Sequence, residues 1–108
     1  MSTAGKGRFS GVVRQAHKMQ QQIGRVQEEM YARMVEASSG GGRVTAYVNG
    51  RQELVNIKID PEVIDPANPK QLEELVLESV SQAIQNSQEM VKSEVDKITG
   101  GFNIPGLF

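Results

Sequence analysis

Five basic side chains near the start of the sequence are the clearest candidates for chemistry. Residues 1–27 contain no Asp or Glu and carry a net charge of +5. Cations at this density attract the phosphates of a nucleic acid. Alternatively, this segment faces an acidic one in the same molecule, since residues 61–108 carry a net charge of −5. The five cations are Lys6, Arg8, Arg14, Lys18 and Arg25.

Helical spacing would bring three of these cations onto one surface. Arg14, Lys18 and Arg25 are separated by four and seven residues, so on a helix they share a face with Gln21. Glutamine can donate to phosphates or base edges without adding charge. We call these four residues the basic stripe. We expect it to contact duplex phosphates with weak sequence selectivity, helped by the two cations that precede it, although a merely solvated face is the simpler alternative.

Groups suited to catalysis are scarce. The chain has no cysteine and one histidine, His17, which excludes thiol chemistry and leaves a single base for any Ser-His-Asp arrangement. The glycine run 40–42 is followed by Arg43 and Val44, not by the Lys-Ser/Thr of a Walker loop. We therefore expect no enzymatic activity, no metal, no cofactor and no small-molecule substrate.

The length of 108 residues fits one domain. No apolar run approaches the roughly 20 residues that span a bilayer, and the first residues lack the apolar stretch of a secretory signal. We therefore expect a cytoplasmic protein without a membrane partner. Residues 1–9 are predicted to form a flexible basic lead, and residues 102–108 an apolar tail that is ordered only in part.

The first long periodic segment predicts a helix from about Ser10 to Ala37, with Ser10 as its N-cap. Its apolar residues alternate in steps of four and three, which is the 3.5-residue period of a coiled-coil seam. Such a helix is about 40 Å long. A compact domain of this size is only about 35 Å across, so the seam needs a second copy to bury it. The predicted homodimer seam is Ala16, Met19, Ile23, Val26 and Met30.

A hairpin and a second helix follow. Residues 43–48 and 52–60 alternate apolar and polar, and Asn49-Gly50 between them predicts a type I′ turn. Residues 62–64 are a candidate third strand. The second helix is predicted over 69–99, with Asn68 as N-cap in a capping box and a glycine stop at Gly100. We expect its first half to lie on the sheet and its second half to project.

The order of these features resembles the YbaB/EbfC family of bacterial nucleoid-associated proteins. Four segments carry the resemblance along nearly the whole chain: the Gln-rich helix at 15–22, the glycine run and Asn-Gly turn at 41–50, the Val-x-Ile-x-Ile-Asp-Pro stretch at 55–61, and the Gly-Gly…Ile-Pro-Gly tail at 99–108. Only the start, residues 1–11, departs from the family pattern. That difference bears on DNA affinity more than on the fold.

The resemblance implies an α+β protein with the element order α-β-β-β-α. Long N- and C-terminal helices would flank a small antiparallel sheet that is joined across a homodimer. It also implies binding of double-stranded DNA in the nucleoid, with a role in chromosome organisation or gene regulation. The residues alone leave DNA and RNA equally open. The alternative function is a protein-interaction module for a recombination or replication partner, which the acidic second helix favours slightly.

Overall fold

The computed structural model describes residues 3–100, and the side chains of residues 10–100. Two long helices flank a three-stranded antiparallel sheet with the strand order β1-β2-β3, which confirms the predicted fold class. The molecule is a rod measuring 80 × 19 × 17 Å. Its elements are α1 (Thr3–Ala32), β1 (Met34–Ser39), β2 (Val44–Asn49), β3 (Leu54–Ile59), a 3₁₀ turn (Pro61–Val63) and α2 (Pro69–Thr99).

The boundaries of α1 differ from the prediction at both ends. The helix is already formed at Thr3, so Ser10 lies within it and is not an N-cap. The helix ends at Ala32, and after one residue the chain enters β1, so residues 34–37 are not helical. The break coincides with Arg33, where the apolar seam is interrupted. The residues after it pair with β2, from Met34 opposite Asn49 to Ser39 opposite Val44, and this pairing overrides their helical spacing.

The third strand is therefore β1, and the prediction of a strand at 62–64 is wrong. Residues 61–63 form a 3₁₀ turn, in which the Asp60 carboxylate accepts a hydrogen bond from the Glu62 amide. The glycine run does not end a helix but connects β1 to β2. Gly40, Gly41 and Gly42 all have positive φ, a conformation that lets the chain reverse within a few residues.

The β2–β3 hairpin is confirmed, but its turn is not type I′. The turn is longer, and its residue with positive φ is Gln52, at 62°, rather than Asn49 or Gly50. The Asn49 side-chain oxygen accepts hydrogen bonds from the amides of Arg51 and Glu53, at 2.9 and 3.1 Å. Asparagine thus organises the turn through its side chain, in the manner of an Asx turn.

Helix α2 has the predicted bounds, Pro69–Thr99. Its C-terminus is capped as expected by Gly100, at φ 65°, whose amide donates to the Asp96 carbonyl. The capping box is not formed, because the Asn68 side chain makes no capping hydrogen bond. The apolar spacing and the proline at the first turn are therefore sufficient to position the start of this helix.

Small residues bring α2 close to the sheet. Ala83 is fully buried against Ala37 of β1 and Ala46 of β2, with Val48 completing the cluster. Two buried serines on either side of this contact donate to backbone carbonyls: Ser39 to Leu75 at 2.5 Å and Ser87 to Asn49 at 2.6 Å. The short side chains allow this approach, and the serine bonds satisfy the polar groups that it buries.

The buried residues of α2 recur at every fourth position from Ser79 to Thr99. Because a helix turns once in about 3.6 residues, a row at intervals of four winds slowly around its axis. The row therefore contacts the sheet as far as Ser87 and then α1, through Val91 and Val95. As predicted, the first half of α2 lies on the sheet and the second half projects beyond it, covered by α1.

Replacing Ala83 by Leu is expected to destabilise the fold by about 1–3 kcal/mol or more, because the opposing backbone leaves no room for added methylenes. Thermal and urea unfolding would measure the loss. Gln85→Leu adds an apolar side chain at an exposed position of the same helix and should leave the melting temperature nearly unchanged. Equal melting temperatures for the two variants would contradict this account of the helix–sheet contact.

Candidate nucleic-acid interface

Gly50 fixes the base of α1, the helix that carries the basic stripe. We call the part of α1 that extends beyond the sheet the arm. This glycine is buried in the β2–β3 turn, against the last turn of α1. A Cβ at position 50 would overlap the Met30 carbonyl and lie 2.9 Å from the Tyr31 amide nitrogen. The glycine is therefore required here for close backbone approach, and not for a positive φ.

A cation–π contact adds to this junction. The Arg51 guanidinium carbon lies 4.8 Å from the centroid of the Tyr31 ring. Since Tyr31 is in the last turn of α1 and Arg51 is in the β2–β3 turn, the contact fastens the helix to the sheet. Sequence analysis missed this role, because nothing in the local pattern around Arg51 indicates that Tyr31 is nearby.

Beyond the sheet, α1 and α2 pair through apolar contacts. Ile23 and Met30 are buried against Val91 and Val95 of the same chain. The helices run antiparallel, because α1 ends at the turn to which Ser87 of α2 is hydrogen-bonded. Each buried side chain in this cluster contributes about 1.5–3 kcal/mol.

The predicted dimer seam is thus divided in the structure. Ile23 and Met30 are buried within one chain, while Met19 and Val26 are partly buried against the same cluster. Ala16 lies farther out and is exposed. A contact between this seam and a second copy stays a prediction. The spacing of the seam does not indicate that α2 covers it, and the predicted hairpin is too short to do so.

The basic stripe lies on the opposite side of α1 from this cluster. At about 100° per residue, Arg14 and Arg25 lie within roughly 20° of the direction opposite Ile23, and Lys18 within about 40°. All three cations are exposed. The only ion pair within residues 10–100 joins Lys97 and Glu94, so no carboxylate of that region neutralises the stripe.

The charge segregation of the sequence is therefore not explained by pairing between the two helices. The acidic helix α2 meets the apolar side of α1, and the stripe faces away from it. From Arg14 to Arg25 the stripe extends about 16 Å along the helix. Lys6 and Arg8 precede the region of described side chains, so their predicted phosphate contacts lie outside it. His17 is exposed beside the stripe.

Other cations are less suited to bind a polyanion. Lys92 and Lys97, near the far end of α2, line a shallow surface with Glu89 and Asp96, and Lys97 is paired with Glu94 at 2.9 Å. On the outer face of the sheet, Lys58 lies 5.5 Å from the Tyr47 ring centroid. Among the described side chains, the stripe on α1 is thus a row of exposed cations that takes part in no ion pair.

An apolar groove on α2 is the second surface feature. It has a volume of about 630 Å³. Leu77 on its wall is 69% exposed. The first half of α2 lies on the sheet as predicted, but it packs across β1 and β2 only and leaves β3 largely uncovered. The groove is lined by Pro69, Leu72, Glu73, Val76, Leu77 and Val80.

Two further properties of the described region bear on the other expectations. No helix there is long and apolar enough to cross a membrane. Across the same residues, no three His, Asp or Glu side chains cluster in a way that could hold a metal ion.

Comparison with known proteins connects this architecture to one family. Residues 6–102 match the model of the YbaB/EbfC DNA-binding family. The nucleoid-associated protein TTE0040 of Caldanaerobacter subterraneus subsp. tengcongensis is 52% identical, over 95% of this chain and 98% of that protein. A nucleoid-associated protein of Moorella thermoacetica is 51% identical, over 95% and 99%.

A solved structure has the same fold. The crystal structure of the uncharacterized protein HP0035 from Helicobacter pylori aligns with a TM-score of 0.72, covering 85% of this chain and 97% of that one. The sequence identity is 21%, so this similarity concerns the fold alone.

Ile23→Asp is expected to open the α1–α2 pair, because an unpaired charge buried in an apolar cluster costs several kcal/mol. Urea unfolding followed by circular dichroism should show a lower midpoint and a loss of helix. Gln22→Asp introduces the same charge at the exposed neighbouring position and serves as the control. If both variants unfold at the wild-type midpoint, Ile23 is not part of a stabilising contact.

Proposed function

The chain belongs to the YbaB/EbfC DNA-binding family, and from this we propose that it acts as a homodimer that binds duplex DNA along its phosphate backbone. The binding groups are the cations of the basic stripe, helped by Lys6 and Arg8, which precede it in the sequence. In the cell such a protein would associate with the nucleoid and act in chromosome organisation or gene regulation. The protein needs no catalytic group for this activity.

The observation that carries the proposal is the position of the stripe on a projecting helix. Arg14, Lys18 and Arg25 are exposed and free of ion pairs within residues 10–100, on the side of α1 opposite its contact with α2. A duplex approaching that side meets cations without having to displace a carboxylate. Because DNA binding is driven largely by the release of counterions from phosphates, such an arrangement supports affinity for any sequence.

The composition of the stripe favours weak selectivity. Reading a base requires side chains that fit a particular donor–acceptor pattern in a groove, such as an arginine bidentate to guanine. A single row of cations and one glutamine along a straight helix supplies phosphate contacts, which position a protein without specifying sequence. Two such arms in a dimer would hold a duplex at two places and increase affinity without adding selectivity.

The groove on α2 supports the dimer. A monomer that leaves an apolar groove with Leu77 mostly exposed gains free energy by burying it, and a two-fold axis lets the same surface cover itself. Leu54 and Val55 of β3 are also half exposed, on the strand that α2 leaves uncovered. We propose that the groove and the β3 side of the sheet together form the dimer surface.

The free edges of the sheet also favour β3 as the joining strand. On β1, the Glu36 carbonyl accepts a hydrogen bond from the Asn86 side chain of α2, at 3.4 Å. On β3, the Ile57 amide donates to the side chain of its own neighbour Asn56, at 2.9 Å. A strand from a second copy would replace that local bond, whereas pairing at β1 would have to displace a side chain of α2.

The second candidate function is a protein-interaction module. The observation that favours it is the same groove, whose wall includes Glu73 and lies on the acidic helix. A partner with a basic, apolar surface would fit it. This function predicts that the protein does not retard random or specific DNA duplexes in a gel, even at low salt. The DNA-binding proposal predicts that it retards both.

Charge reversal of the stripe is the direct test. The variant Arg14→Glu with Lys18→Glu should weaken binding of all duplexes at least about tenfold, because four phosphate contacts per dimer are lost. For the wild-type protein, log K against log salt should have a slope of about −4 to −7, and the variant's slope should be shallower by roughly 3–4. Fluorescence anisotropy at several salt concentrations measures both.

The matched control is Arg33→Glu with Arg43→Glu, which changes the net charge equally at exposed sites outside the stripe, the groove on α2 and the Lys92–Lys97 surface. It should lower affinity much less than the stripe variant. Equal losses would mean that net charge, rather than the stripe, governs binding. Wild-type affinity in the stripe variant would show that the stripe is only a solvated face, and the contact would then be sought near Lys92 and Lys97.

The dimer surface is tested by Leu77→Asp. Because Leu77 makes little contact within one chain, the variant should keep its helix content and lose dimerisation, sedimenting as a monomer at micromolar concentration. The exposed position Gln85, changed to Asp, is the control and should stay dimeric. A wild-type protein that sediments as a folded monomer at that concentration would refute the dimer, and a dimeric Leu77→Asp would exclude this surface.

A further inference from the structure

The apolar face of α1 continues beyond the point where α2 stops covering it. At about 100° per residue, Val12 and Ala16 lie within roughly 20° of the direction of Ile23, on the side that packs against α2. Every residue from Ser10 to Lys18 is nonetheless exposed, and Val12 is 66% exposed. These residues thus continue the apolar face of α1, but α2 does not cover that face over this stretch.

The end of α2 lies where that cover is lost. The helices are antiparallel, and Ile98, the residue before the last of α2, packs with Met19 against the same cluster. Gly100 then takes the left-handed conformation that terminates the helix. The chain therefore leaves α2 beside α1, immediately before its exposed apolar stretch.

The remaining chain has the length and composition to cover this stretch. The eight residues from 101 to 108 reach roughly 26–29 Å when extended. The part of α1 from Met19 back to Thr3 is about 24 Å long. None of these eight residues has a charged side chain. Four of them are large and apolar: Phe102, Ile104, Leu107 and Phe108.

A buried hydroxyl at the end of α2 adds an independent observation. Thr99 is 4% exposed, and its Oγ1 has no hydrogen-bond partner among the described residues. A buried hydroxyl without a partner is costly, and native proteins seldom leave one. A chain that continues along α1 beyond Gly100 brings backbone N–H and C=O groups next to this oxygen.

We propose that residues 101–108 dock along the uncovered apolar face of α1 in the same chain, against Val12 and Ala16. The arm is then a helix whose inner side is covered first by α2 and then by the tail. The basic stripe stays on its outer side. Docking the tail leaves the charge of the arm unchanged and orders the part of α1 that has no other support.

Paramagnetic relaxation enhancement tests this placement. The natural sequence has no cysteine, so Asn103→Cys gives a single site for a nitroxide. In the first sample, the same chains carry both the nitroxide and ¹⁵N, and they are diluted with protein that carries neither. We expect the amide signals of residues 10–16 to broaden in this sample. Those of β2 should not. No broadening over residues 10–16 would overturn the proposal.

A mixed sample separates the two copies of a dimer. With the nitroxide on unenriched chains and ¹⁵N on unlabelled chains, residues 10–16 should stay sharp. Broadening that occurs only in the mixed sample would place the tail on the other copy and would also overturn the same-chain proposal. This experiment does not depend on DNA binding, so its failure is distinct from failure of the proposed function.

Hydrogen exchange gives the energetic readout. Phe102→Ser with Ile104→Ser should accelerate exchange of the amides of residues 10–18 by about tenfold or more, since burial of one large apolar side chain contributes at least that factor. Asn103→Ser keeps the apolar residues and should exchange as wild type. The melting temperature should be nearly the same in all three proteins, because the exposed stretch lies outside the buried clusters. Unchanged exchange in the double variant would refute docking.

Discussion

The contact between α2 and the sheet is the constraint on which the rest of the molecule depends. It is made by side chains with one or two heavy atoms beyond Cα, Ala83 and Ser87 on the helix and Ala37 and Ala46 on the strands. Because these short side chains bring the helix and the strands into close contact, little space is left for the helix to shift relative to the sheet. It fixes the axis of α2 across β1 and β2, and thereby the direction in which its second half leaves the sheet.

That direction determines what α1 can do. Once α2 projects, its buried row continues into Val91 and Val95 and requires a partner, and the apolar side of α1 supplies one. Where the two helices pair, each covers the apolar side of the other, so their charged sides face solvent. The cations of α1 are presented outward for this reason, and the opposite net charges of the two helices contribute little direct attraction across their contact. The fold thus segregates charge by geometry, without ion pairing.

The elements with strong periodicity could be predicted from the sequence, and those set by distant partners could not. Helix α2 was located to the residue because proline and glycine bound a long apolar repeat. The β2 and β3 strands followed from alternation around Asn49. In contrast, Met34 to Ala37 are compatible with helix by spacing, and only pairing with β2 makes them a strand. The local sequence identifies Gly50 as a turn residue. The requirement for glycine at this position comes instead from the close approach of the Met30 carbonyl, twenty residues away in the sequence.

The same distinction applies to the candidate site. The stripe was visible because its cations share one helical face, which is a local property. The partner of the apolar seam was not, since nothing in residues 16–30 indicates whether α2 or a second copy will cover them. The residues of the predicted dimer seam are divided in the structure: some are buried within one chain, and Ala16 is exposed. The groove on α2 was missed for a related reason, because a periodic apolar stripe does not reveal how much of its width a small sheet can cover.

The junction at Gly50 also has a mechanical consequence. Helix α1 is 30 residues long and is joined to β1 through a single residue, Arg33. The contact between Gly50 and Met30 is therefore the pivot of a lever about 40 Å long, which moves together with the half of α2 that packs against it. A rotation of about 5° at the pivot displaces the tip by roughly 3.5 Å, which is about the axial distance between successive phosphates of one DNA strand. Changes too small to alter the packing at the sheet thus shift the exposed cations of α1 by a distance comparable to one step of a nucleic-acid backbone.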